Sequence, residues 1–179
     1  MVRRAVAVAV VWLLAAGGAS AAEPAAVAAR LGGIDLLGRA PNYVDFGLGV
    51  FDIRAPFNAS KTSAAGRIEA RGGDKLWGLG PAVGLMVNAD GGIFGYGAIY
   101  ADLAYGNFVV TPLAGLGGYS RDDSSDLGGV FQFRLSLGLN YQFADQSRLG
   151  LNIAHISNAG IHDNNPGEEE VYVTYAIPF

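Results

Sequence analysis

From Gly129 to Phe143 the chain alternates without a break. The odd positions read Phe131, Phe133, Leu135, Leu137, Leu139, Tyr141 and Phe143, and the even ones Gln132, Arg134, Ser136, Gly138, Asn140 and Gln142. A period of two predicts a strand. The alternation runs for about 13 residues, more than twice the usual length of about 5 to 6 for a strand of a soluble protein. One face is apolar with aromatics at both ends, and the other is polar and small. That is the pattern of a strand with lipid on one side and a polar barrel interior on the other.

Segments of the same kind fill the rest of the chain: 43–54, 65–71, 75–88, 92–104, 107–119, 147–157 and 168–179 join 129–143 to make eight. An even number suits a closed bacterial barrel, and closure leaves no sheet edge with unpaired backbone groups in hydrocarbon. The pattern therefore predicts an all-β fold, an eight-stranded antiparallel transmembrane β-barrel over residues 43–179. Counted from a periplasmic N-terminus, the links at 72–74, 105–106 and 144–146 are short, as periplasmic turns are. The links at 55–64, 121–128 and 158–167 are long and polar and fall on the extracellular side, while 89–91 is short and departs from that rule.

Composition sharpens this picture. Arg3 and Arg4 precede an apolar run from Ala5 to Ala16 and an Ala19-Ser20-Ala21 site, the order of a secretory signal peptide over 1–21. Residues 22–42 then form an N-terminal periplasmic segment ahead of the barrel. There are no cysteines, so neither a disulfide framework nor a thiolate metal site is available. Without the two leader arginines, ten basic residues face 16 acidic ones, a balance that argues against nucleic acid. Half of the chain is hydrophobic and 27 residues are glycine, yet no later segment offers a spanning helix, so strands must carry the apolar content. Glycines such as Gly47, Gly49, Gly95 and Gly97 relieve crowding on strands rather than cradle a nucleotide.

Against this background the hexapeptide His155-Ile156-Ser157-Asn158-Ala159-Gly160 needs an explanation. Side chains two apart on a strand share a face. His155 and Ser157 therefore continue the outward row Leu149, Leu151 and Ile153, near the outer-leaflet headgroup boundary. In the last segment the same parity puts Glu169 outward with Val171, Val173 and Tyr175, and Glu168 and Glu170 inward. Serine, histidine and carboxylate on one surface are the set required for nucleophilic acyl transfer. The bland alternative is a polar rim, with 158–160 as turn chemistry and 168–170 as a solvated charge run. Asn158 and the amide of Gly160 are candidate oxyanion donors, and Leu151, Ile153, Val171 and Val173 are the expected walls of a surface groove. His162 and Asp163 with His155 make an incomplete metal set, so no metal and no cofactor are assigned. Arg54, Lys61, Arg67 and Arg121 lie near the expected extracellular rim, either as contacts for lipid phosphates or as ordinary rim charge.

The hexapeptide, the Asn165-Pro166-Gly167 loop, Glu169 and the closing aromatic strand ending in Phe179 resemble the C-terminal signature of the lipid A 3-O-deacylase family, PagL. The resemblance implies an outer-membrane enzyme that hydrolyses the acyl ester at the 3 position of lipid A from the outer leaflet. It implies Ser157 as nucleophile, His155 as general base, Glu169 as the orienting acid and Asn165 as help at the oxyanion site. The implied partners are lipid A within lipopolysaccharide, the outer membrane of a Gram-negative bacterium, the barrel-assembly machinery and, as a candidate, a second copy in a homodimer. Two other readings are carried alongside. One is a structural barrel without catalysis, and the other a different lipid-modifying barrel, a phospholipase or an acyltransferase.

Overall fold

The computed structural model describes residues 25–53 and 62–179. The expected signal peptide over 1–21, most of the 55–64 link, Arg54 and Lys61 lie outside the described residues. Eight antiparallel strands close a ring: β3 (Tyr43–Phe51), β4 (Ser63–Arg71), β5 (Gly80–Asn88), β6 (Ile93–Tyr100), β8 (Phe108–Ser120), β9 (Phe131–Gln142), β10 (Arg148–Ser157) and β11 (Glu168–Pro178). Each pairs with the next in that order, and β11 returns to β3 through the register Val173↔Leu48. The fold is the expected eight-stranded barrel.

Parity along each strand separates two chemistries. Leu48, Ile99, Leu116, Leu135, Leu139, Leu151, Ile153 and Val173 face outward and are exposed. In water such a continuous apolar band would be an aggregation surface; against lipid it is the solvated face. The inward positions are charged or aromatic. Arg67 pairs with Asp45 and, at 2.7 Å, with Glu69, which also pairs with Arg71 at 2.7 Å. Arg134 pairs with Glu170, whose other oxygen accepts the Tyr172 hydroxyl at 2.9 Å. Toward the short-turn end, Asp102 holds Lys75 at 2.8 Å and Arg148 at 3.0 Å. Apolar groups pack among these pairs, one built on Phe51, Met86, Phe94 and Tyr172, another on Tyr100 and Leu113. Small residues make room for them: a Cβ on Gly84 would lie 2.4 Å from the Tyr96 hydroxyl oxygen.

Three features depart from the sequence pattern. The segment 22–42 carries a hairpin, β1 (Ala26–Leu31) and β2 (Ile34–Arg39), turned by Gly32 and Gly33. Strand β2 pairs with a three-residue strand β7 (Leu103–Tyr105), so the hairpin is an extension of the barrel sheet at its short-turn end. The expected third segment is shortened at its start, because residues 75–79 form a tight turn closed by Leu76 and Leu79. Arg67 is not at a rim; it is buried among the interior carboxylates, and only exposed Arg121 of the described candidates stays near the long loops.

Candidate active site on the outer wall

The last hairpin, β10 and β11, positions the candidate chemistry. Its register pairs His155 with Glu169 directly, and on the other side His155 faces Leu135 of β9. His155 Nδ1 and Glu169 Oε1 are 3.1 Å apart, with side chains 41% and 29% exposed. Ser157 is the next outward position on β10, half-buried opposite Phe133 and about 7 Å along the strand from His155. The three residues singled out by parity therefore share one outward face.

The neighbouring glutamates point the other way. Glu168 and Glu170 are fully buried, so a solvated charge run does not describe this segment. Glu170 is held by Arg134, and Glu168 accepts the Asp52 backbone N–H at 3.1 Å.

The loop after Ser157 is organised by Asn158, which is fully buried. Its amide donates to the carbonyls of Leu127 (2.9 Å) and Asn164 (2.7 Å), and its oxygen accepts from Gly160 N–H at 2.9 Å. These donors are committed inside the loop. Asn158 and Gly160 thereby hold the turn that follows Ser157. Asn165 differs: its side-chain oxygen accepts the Asn158 N–H at 2.9 Å, which turns its exposed NH2 group away from that contact. His162 packs against Gly129, where any Cβ would lie 2.3 Å from the ring, and so ties the 121–130 loop to the 158–167 loop. Among the described residues, no group of three His, Cys, Asp or Glu side chains is placed to hold a metal ion.

Beside the His155–Glu169 pair runs an apolar groove of about 400 Å³, lined on its walls by Ile53, Leu135, Leu137, Ile153 and Val171. Ile153 and Val171 are the walls expected from parity. Leu151 and Val173 share the outward face, each more than half exposed, but lie beyond the groove. Leu135, Leu137 and Ile53 complete the walls and do not follow from parity. The first two follow from the pairings Ile153↔Leu137 and His155↔Leu135, which the short 143–147 connection between β9 and β10 fixes. Parity alone gives the face of a residue and not its neighbour across the sheet.

A family model described as lipid A 3-O-deacylase (PagL) matches residues 57–178. The chain belongs to this family. A lipid A deacylase PagL of Bordetella bronchiseptica is 42% identical over 53 residues, a stretch covering 30% of this chain and 30% of that protein. The aligned stretch thus spans under a third of that relative's length. The crystal structure of the outer membrane enzyme PagL superposes with a TM-score of 0.57 at 19% identity, over 76% of this chain and 99% of that one. At that identity the PagL likeness carries the barrel fold.

Proposed function

We propose that the protein is an outer-membrane esterase that removes the 3-O-linked acyl chain of lipid A, with Ser157, His155 and Glu169 acting from the lipid-facing wall in the outer leaflet. The observation that carries this reading is the 3.1 Å contact between His155 and Glu169 on the outer face, at the head of an apolar groove. A polar rim gives no reason for an imidazole and a carboxylate to pair on the lipid side. Family membership supplies the substrate class.

In this mechanism Glu169 accepts the Nδ1–H of His155 and fixes the tautomer in which Nε2 carries the lone pair. Ser157 Oγ attacks the ester carbonyl as Nε2 takes its proton. The tetrahedral oxyanion collapses, the sugar oxygen leaves with the proton from His155, and a serine-bound acyl group remains. Water, deprotonated by the same imidazole, then releases the fatty acid and restores Ser157. The NH2 of Asn165 is the side-chain donor for the oxyanion. The acyl chain lies in the groove throughout and does not enter the barrel.

The test is mass spectrometry of lipid A from cells expressing the chain. Loss of one 3-hydroxyacyl group, abolished by Ser157→Ala, is the expected result. Unchanged lipid A beside a correctly folded protein, or fatty acid released from phospholipid vesicles free of lipid A, overturns the assignment.

A further inference from the structure

The groove has two tiers. Leu135, His155 and Glu169 are cross-strand partners at one level, and Ile53 joins that level because its N–H donates to the Glu169 carbonyl at 3.1 Å. Leu137, Ile153 and Val171 form the next level, about 7 Å farther from the Ser157 end.

Ile53 is at the upper tier only because strand parity breaks just before it. Along β3 the odd residues Tyr43, Asp45 and Phe51 point inward, so Asp52 is due to face lipid and Ile53 to face the interior. The opposite is found: Asp52 is 3% exposed and Ile53 41%. The inversion is made by the left-handed backbone of Asp52, φ 56°, an unusual conformation for a residue with a side chain. Three hydrogen bonds hold it. Asp52 N–H donates to Glu168 at 3.1 Å, its carbonyl accepts the Thr62 hydroxyl at 3.0 Å, and its carboxylate accepts the Ser125 hydroxyl at 2.7 Å. Strained backbone retained by this many partners next to a candidate site invites a functional explanation.

Resting on the esterase reading above, we propose that Ile53 is a specificity-determining residue that senses the first carbons of the acyl chain and discriminates against a substituent beta to the ester carbonyl. Asp52 is the positioning residue that places it. The ester must sit at the Ser157 end, so the upper tier meets the proximal carbons and the lower tier the rest of the chain. Ile53 thus selects a 3-hydroxyacyl ester over the bulkier 3-acyloxyacyl ester, while Leu137 and Ile153 respond to chain length.

The experiment uses the full-length protein in detergent micelles and lipid A analogues carrying either a 3-hydroxyacyl or a 3-acyloxyacyl ester at position 3, each in a short and a long form. Ile53→Ala should raise the ratio of kcat/KM for the acyloxyacyl over the hydroxyacyl ester by about tenfold or more, the effect of changing a few methylenes in an apolar pocket. Ile53→Trp should lower it, and neither should alter length preference. Leu137→Trp should do the reverse, favouring short chains with the branching ratio unchanged. Asp52→Ala should mimic Ile53→Ala. Asp52→Asn, which keeps an acceptor for Ser125 and tolerates the left-handed backbone, should restore the native ratio. Folding of each variant is read from its gel mobility before and after boiling, and Ile53→Trp decides the matter should Ile53→Ala not fold. An unchanged branching ratio in folded Ile53 variants, or a shift in length preference instead, overturns this inference while leaving the esterase intact. A wild-type protein that cleaves neither ester overturns the esterase reading itself.

Discussion

Replacing Arg134 with leucine should cost more stability than any other change on β9. Arg134 and Glu170 are both fully buried, and their ion pair joins adjacent faces of the barrel interior across β10. Removing the guanidinium leaves the Glu170 carboxylate in a closed interior with the Tyr172 hydroxyl as donor, and with the buried Glu168 carboxylate on the same inward face. Breaking a buried pair in this one-sided way costs about 3 to 5 kcal/mol. The guanidinium also lies 5.0 Å from the Tyr96 ring centroid, a contact contributing about 0.5 to 2 kcal/mol when desolvated. Among the described residues Arg134 Nε and Nη2 meet no acceptor, which lowers the native contribution and keeps the expected loss near the lower end of the combined range. A loss of about 4 kcal/mol shifts the folding equilibrium by roughly three decades. Urea titration of barrels refolded into phospholipid vesicles, followed by the heat-dependent gel shift, measures it. The double replacement Arg134→Leu with Glu170→Leu should recover most of the loss, because it removes both charges together. A single variant within about 1 kcal/mol of wild type, or a double variant no better than the single, would refute this account of the interior.

Three further outcomes are expected. Ser157→Ala and His155→Ala should each lower hydrolysis of lipid A by several orders of magnitude with the barrel folded, and Glu169→Ala by less, measured as kcat/KM; a larger loss from Glu168→Ala or Glu170→Ala in folded protein would reject the outward parity of the site. The protein should leave membranes only in detergent and should migrate differently in SDS before and after boiling, whereas release into buffer as a monodisperse monomer would contradict the exposed apolar band. Gly128→Ala should weaken activity through the loops, since φ is 83° there and a Cβ would lie 1.7 Å from the Asn164 carbonyl oxygen; unaltered activity and unaltered proteolysis of the 158–167 loop would count against that coupling.

Much of this molecule is legible in its sequence because a barrel in lipid has a simple rule. Every strand alternates, and the apolar row faces out. The long alternation at Phe131 to Phe143 reads directly as β9, and the same parity sets His155, Ser157 and Glu169 on the outer face. What escaped the pattern lies where alternation is absent or interrupted. Ala26–Leu31 is exposed on both faces, so no periodic signal marks β1, although Gly32 and Gly33 mark its turn. Arg67 reads as a rim charge, and only the register that brings Asp45 and Glu69 to it shows that it is buried. Asp52 is the hardest case. A single left-handed residue inverts the parity of Ile53, and an aspartate followed by an isoleucine gives no warning of it.

The filled interior has an electrical consequence. A wide cylinder through a bilayer is a conduit for ions, whereas one of eight strands is just wide enough for its own side chains to fill. Here Arg134, Arg148, Tyr43, Tyr100, Tyr172 and Phe94 are all closed off from solvent inside the ring, and each buried cation lies against a carboxylate rather than lining a water column. The barrel is therefore plugged by its own side chains, and the groove on its outer wall can be occupied without opening a path for ions through the membrane.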